Sequence, residues 1–260
     1  MADGVYFETN SLIDGEPVYV LLRGRDAAQA ARDEGANDKT GAMIQTYIMP
    51  RDVSPLDAVR SGADESVCGT CPMRPLLVKA AEAATPGVKL PKCYVNKGHG
   101  PRVVWDGIQR GIYQRVNLLG ACAYVAGLPT RFGTWGDPGA VDAQIWFALA
   151  MHASERTGYT HRWRDTGAAL RGLVMASVDS IEERDEAQAA LWATFGVDSD
   201  GTWERARGEA RCPASQEAGK QVKCRECPIK CNGAGLSIVI QDHGPGGIGQ
   251  KAARAARKAA

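Results

Sequence analysis

Eight cysteines in a chain of 260 residues, seven of them gathered into two stretches, constrain this sequence more than any other feature. A chain of this length buries a sizeable core without covalent staples. The opening stretch, Met1 to Asn10, is acidic and polar and has neither the basic nor the apolar region of a secretion signal. Apolar runs such as Leu236–Ile240 are far too short to cross a bilayer. These features predict a cytoplasmic protein with no membrane partner, in which thiols stay reduced. Clustered, reduced cysteines then point to metal ligation rather than to disulfides.

The stronger cluster is Cys212 followed by Cys224, Cys227 and Cys231 in the run KCRECPIKCNG. A Cys-x2-Cys turn brings two thiolates onto one ion, and the other two cysteines complete a set of four. Four thiolates suit zinc or an iron–sulfur cluster, and spacing does not choose between them. The other cluster is Cys68-Gly69-Thr70-Cys71, joined at a distance by Cys93. Gly69 and Thr70 allow a tight turn. His99 or Cys122 is a candidate fourth ligand; alternatively, three cysteines hold a cluster with one open iron. Cys122, between two alanines, also reads as a plain core residue.

Around these clusters the chain alternates strands and helices. Residues Tyr6–Arg23 read as a hairpin about an Asp14-Gly15 turn, and Ala27–Asp38 as a short helix or loop. The turn Asn37–Gly41 leads into a buried strand, Met43–Met49. Pro50 to Gly100 reads as a long segment broken by Pro and Gly. Helices are predicted over Val103–Tyr113, Pro138–Arg156 and Ile181–Trp192, and strands over Pro129–Thr134, Thr157–His161, Gly172–Val178 and Ala193–Val197. A last strand pair, Ala210–Ala214 and Leu236–Gln241, brackets the second cysteine cluster. This rhythm predicts an α/β fold of parallel β/α units, either an open sheet or a full or partial barrel, with an N-terminal β-hairpin and a C-terminal cysteine knuckle. The expected division is hairpin and loop over 1–36, a metal-binding barrel-like region over 37–243 with its knuckle at 212–231, and a flexible basic tail over 244–260. If helical, Lys251, Arg254, Arg257 and Lys258 of that tail form one basic stripe suited to phosphate contact.

In such folds chemistry gathers at the C-terminal ends of strands. Three ends carry polar residues: Gly136-Asp137-Pro138, then Tyr159 with His161 and Arg162, then Ser177-Val178-Asp179-Ser180. Asp137 and Ser180 also suit plain helix caps. Convergent on one face, Asp137, His161 and Asp179 are the candidate catalytic residues. The composition is ordinary, with 44% hydrophobic and 23% charged residues, and the formal charge of +1 gives no bulk attraction to nucleic acid.

The order NDKTG, strand, Cys-x2-Cys, Cys-Tyr, WGDP, GYTHRW, SVDS, then CPAS, KCRECPIKC and QDHG resembles a phage-encoded family of the gene product 88 type over most of residues 37–243. That family is in turn similar to radical S-adenosylmethionine (SAM) enzymes, whose partial β/α barrel carries cysteines after its first strand. The resemblance implies a [4Fe–4S] cluster on Cys68, Cys71 and Cys93. It implies that Asp137 and the Gly136 backbone hold the methionine amino group, and that Ser177 or Asp179 holds the ribose end. The family's usual Cys-x3-Cys-x2-Cys is spread here over a longer loop. The implied activity is radical hydrogen abstraction from a nucleotide or nucleic acid, in host cytoplasm if the chain is phage-encoded. Two other readings stand beside it. One is a zinc-bearing barrel enzyme similar to the deazaguanine transglycosylases, with Asp137 or Asp179 as nucleophile. The other is a non-catalytic, zinc-binding nucleic-acid-binding protein.

Overall fold

Valine and aromatic residues suit the first two strands to a pleated surface, the second being buried from Val18 to Leu22. β1 (Gly4–Asn10) and β2 (Pro17–Arg23) pair antiparallel from Gly4 against Arg23 to Asn10 against Pro17. This is the expected hairpin, turned at Gly15 with a φ of +79°. In the computed structural model, which describes residues 3–31, 39–88, 90, 92–165, 167–198, 201–215 and 222–241, a short helix α1 (Arg25–Ala30) follows. β3 (Ile44–Pro50) is buried at every position and lies antiparallel to β2. The hairpin therefore extends the main sheet.

The stretch from Pro50 to Gly100 is more regular than its Pro and Gly content suggests. It holds α2 (Pro55–Ser61), α3 (Glu65–Cys68) and α4 (Pro75–Ala84). Prolines open α2 and α4, where the missing N–H is not needed, and the Ser54 side chain accepts from the Asp57 N–H. Then come α5 (Gly100–Gln109), the two-residue β4 (Gln114–Arg115) beside β1, and α6 (Leu118–Val125), capped by Asn117.

The β/α units follow: β5 (Pro129–Trp135), α7 (Ala143–His152), β6 (Glu155–Thr160), β7 (Met175–Val178), α8 (Ile181–Ala189), β8 (Thr194–Asp198), β9 (Glu209–Arg211) and β10 (Ser237–Gln241). The helix expected over Pro138–Arg156 is shorter at both ends. Pro138–Ala140 forms a 3-10 turn, Asp142 caps α7 by accepting from the Gln144 N–H, and Glu155 already belongs to β6.

The ten strands stand in the order β4-β1-β2-β3-β5-β6-β7-β8-β10-β9, parallel from β3 onward. The sheet is open, which corrects the full-barrel alternative. Closure would require the last parallel strand to reach β3, and β3 already has β2 on one edge and β5 on the other.

The main core lies between sheet and helices. There Trp146 and Phe132 are fully buried with ring centroids 4.9 Å apart, and the Trp146 indole N–H donates to the Pro138 carbonyl at 2.7 Å. A smaller core of Met175, Ala214, Ile238 and Ile240 takes in Cys212 and packs against Cys224 and Cys231. No helix among the described residues is long and apolar enough to cross a membrane. The basic tail over 244–260 lies outside the described residues.

Candidate functional site

The end of β5 is pinned by a glycine. Gly136 has a φ of +81°, and a Cβ there would stand 2.5 Å from the Ile48 carbonyl oxygen and 2.7 Å from the Ile48 Cβ. A side chain would force β5 away from β3. The next residue, Asp137, donates its backbone N–H to the Val67 carbonyl at 2.6 Å, next to Cys68. Its Oδ1 accepts from Thr160 Oγ1 at 2.5 Å and from the Gly139 N–H at 2.7 Å, and its Oδ2 accepts from the His161 N–H at 2.7 Å. A carboxylate offers about four acceptor positions, and three are taken. Burial pushes the Asp137 carboxyl up, against the opposing bonds from Thr160 and its neighbours. Asp137 thus ties the first cysteine loop to the ends of β5 and β6.

His161 continues this line. Its Nε2 stands 3.3 Å from a carboxylate oxygen of Asp179. Burial disfavours the imidazolium, but the adjoining Cys71 and Asp179 outweigh it and hold the ring well above the usual imidazole range. Asp179 pairs with His161 and is not among the residues lining the cleft described below. Ser177 does face the cleft.

The first cysteine loop is folded by its own backbone and by one arginine. The Cys71 N–H donates to the Cys68 carbonyl at 3.2 Å, and the Cys93 N–H to the Met73 carbonyl at 3.1 Å, which returns Cys93 to the same place. The guanidinium of Arg74 donates to the Gly69 carbonyl at 2.7 Å, the Gly62 carbonyl at 2.9 Å and Asp64 Oδ1 at 2.9 Å. Burial raises the Cys68 thiol well above its ordinary pKa, and Cys71, Cys93, Asp64 and Asp137 each add to the effect. The three thiols therefore share one electrostatic field.

The second group is held from three directions. The Cys212 N–H donates to the Val239 carbonyl of β10 at 2.8 Å. The Cys224 and Arg225 N–H groups donate to the Lys39 and Thr40 carbonyls at 3.2 and 3.0 Å, and the Cys227 N–H turns back to the Cys224 carbonyl at 3.3 Å. β6 and β7 pair over only Tyr159–Thr160, and where they part the Gly158 N–H donates to the Cys231 carbonyl at 3.2 Å. A Cβ on Gly233 would meet the Val174 carbonyl oxygen at 2.4 Å. The Cys231 thiol is pushed up to about 12 by burial, with Cys212, Cys224 and Cys227 adding to the rise and the Tyr159 hydroxyl opposing it.

Both groups open onto one cleft of about 160 Å³. Cys68, Cys71 and Cys93 line it together with Cys212 and Cys224. Gly136, Asp137, His161 and Ser177 complete the wall at the strand ends. All eight cysteines are free thiols. Among the described residues, no three His, Cys, Asp or Glu side chains stand in ligating geometry; the thiols share the cleft without closing on a point. The imidazole beside the first group is His161 rather than His99, which is exposed at the start of α5. Cys122 is buried in the core on α6, as its apolar setting predicts. Arg74 and Thr160 were not legible as site residues, because each acts by hydrogen bonds to residues distant in sequence or on another strand.

Thr160→Val removes one donor from the Asp137 carboxylate and leaves shape nearly unchanged. It is expected to cost about 1–3 kcal/mol in denaturant unfolding, and unchanged stability would show that the bond does not hold the two strand ends together.

Compared with protein-family models, with curated proteins and with solved structures, the chain finds no match in any of the three.

Proposed function

We propose that this cleft is the active site of a metalloenzyme with two thiolate centres, acting on a nucleotide or nucleic acid. The observation that carries the reading is the shared cleft: thiols from residues 68–93 and 212–224 face one cavity together with the polar ends of β5, β6 and β7. The run of parallel strands from β3 to β10 is read as a partial β/α barrel whose ligand lies at those ends.

The donor chemistry fits. Free thiols, Cys212 and Cys227 buried and the other five of the two groups partly so, suit soft metals, and each is deprotonated when it ligates. Cys68, Cys71 and Cys93 would hold an iron–sulfur cluster with one position left for a ligand such as SAM. Cys212, Cys224, Cys227 and Cys231 form a four-thiol set suited to a second cluster or to structural zinc. When bound, the first centre supplies one-electron chemistry for radical hydrogen abstraction. Gly136 allows backbone approach at the end of β5, and Asp137 fixes the strand ends with one acceptor position to spare. Asp179 orients His161 beside Cys71, and Ser177 offers a hydroxyl to the cleft. Asp137 is a weaker nucleophile than a zinc-enzyme reading requires, since three donors already occupy its carboxylate.

Anaerobically purified protein is expected to be brown, with broad visible absorption and iron and sulfide on elemental analysis. A colourless protein with zinc would move the reading to the base-modifying zinc enzyme, and a protein without metal would end both. Within the first centre, Cys68→Ala and Cys93→Ala are expected to abolish the same spectroscopic signal. Undiminished metal in the Cys93→Ala protein would remove Cys93 from the centre.

A further inference from the structure

Arg131, on β5, lines the cleft together with cysteines of both groups. One terminal nitrogen donates to the Tyr94 hydroxyl at 2.9 Å, and the guanidinium lies near Tyr159, Cys224 and Tyr47. Its Nε is buried and has no hydrogen-bond partner. No carboxylate pairs with it among the described residues. The buried Arg74 and Arg184, by contrast, have Asp64 at 2.9 Å and Asp185 at 2.8 Å. Its Nε is out of water, while the nitrogen bonded to Tyr94 is exposed, so the Arg131 guanidinium is open to an anion entering the cleft.

The surroundings select the kind of anion. Lys39 and Lys92 line the same cleft, Lys92 with its ammonium 3.4 Å from Glu82 Oε2, and the lining carboxylate, Asp137, is committed to Thr160, Gly139 and His161. Arg131 is thus a lining cation without a carboxylate partner among the described residues. Tyr94, Tyr159 and Phe195 give it aromatic walls, with the last two rings 4.2 Å apart at their centroids; such walls receive a base by stacking. We propose that Arg131 anchors a phosphate group of the ligand, so that the cleft takes a phosphorylated nucleoside with its base against these aromatic rings. The inference rests on the cleft being the active site, and it names the substrate class. The planar fork of the guanidinium matches phosphate oxygens two at a time, which an ammonium does not.

Calorimetric titration of the whole chain with 5′-AMP and with adenosine tests this, with metal content measured on the same samples. Wild type is expected to prefer 5′-AMP by about ten-fold or more, and inorganic phosphate is expected to compete with 5′-AMP but not with adenosine. Arg131→Gln should bring the two affinities together while metal content stays at the wild-type level, and Arg131→Lys should restore part of the preference. Equal affinities in the wild type overturn the proposal whatever the variants do. So does an Arg131→Gln protein that keeps the preference but loses metal, because the guanidinium then serves to offset the thiolate charge of Cys224 and its neighbours. A wild type that shows the preference yet carries no metal overturns the two-centre reading and leaves the phosphate anchor standing.

Discussion

A chain in which Cys224 and Cys227 are both serine is expected to lose one centre's share of metal and much of its resistance to denaturant. In small peptides a structural thiolate–zinc site contributes about 10–16 kcal/mol of apparent folding energy. Here the loop carrying both residues holds more than an ion. Cys224 and Cys231 pack against the smaller core of Met175, Ala214, Ile238 and Ile240. The same loop feeds backbone bonds into Lys39, Thr40 and Gly158. Loss of the centre should therefore loosen β9, β10 and the start of β3 first, while the larger core around Trp146 and Phe132 stays protected. Hydrogen exchange reads that gradient, and elemental analysis counts the metal. A double variant with wild-type metal content and wild-type unfolding would refute the second centre.

Asp64→Ala is expected to destabilise the protein by about 3–5 kcal/mol, because it strands a buried charge. The side chains of Arg74 and Asp64 are only 7% and 3% exposed. Without Asp64, the guanidinium keeps its bonds to the Gly69 and Gly62 carbonyls but has no buried counter-ion. Glu65, at 3.5 Å and 60% exposed, is a poor substitute. Arg74→Met should cost a comparable amount and free the Cys68–Cys71 turn, so that metal in the first centre falls as well. The double variant, which removes both charges, should be more stable than the sum of the two losses predicts. Additive losses would show that the two side chains do not act as a pair.

The strands were legible where pattern and composition agreed. The hairpin, the buried run ending at Met49, and β5 and β6 stand close to where alternation and turn residues put them. The β/α rhythm put Asp137, His161 and Asp179 at strand ends on one face; Asp137 and His161 line the cleft with Ser177, while Asp179 stands beside His161 and is not among the lining residues. The helices between Pro50 and Gly100 were missed because Pro and Gly were read as breakers. Pro55 and Pro75 in fact sit in the first turn of a helix, where proline is at home, and Ser54 was a readable cap. The choice between the open sheet and a barrel was not legible, because nothing in the sequence says that β2 takes the edge of β3. Arg74 and Arg131 were hidden for a related reason. An arginine reads as a surface residue in the sequence until the fold shows which side chains surround it.

The bonds from Arg225 set an order on the making of this protein. Its guanidinium donates to the carbonyls of Ala28 and Ala42, 197 and 183 residues earlier in the chain, at 2.9 and 2.5 Å. While the polypeptide is being synthesised, those early carbonyls and the entrance to β3 wait for a partner that emerges near the end. Contacts of such separation form late and slowly. The loop of Cys224, Cys227 and Cys231 thus docks late, and before residues 224–231 have emerged Cys212 stands without the three thiols that later join it. A ribosome-bound chain halted before Lys223 should hold the hairpin and the first β/α units, yet leave exposed the apolar strip that Ile238 and Ile240 later cover.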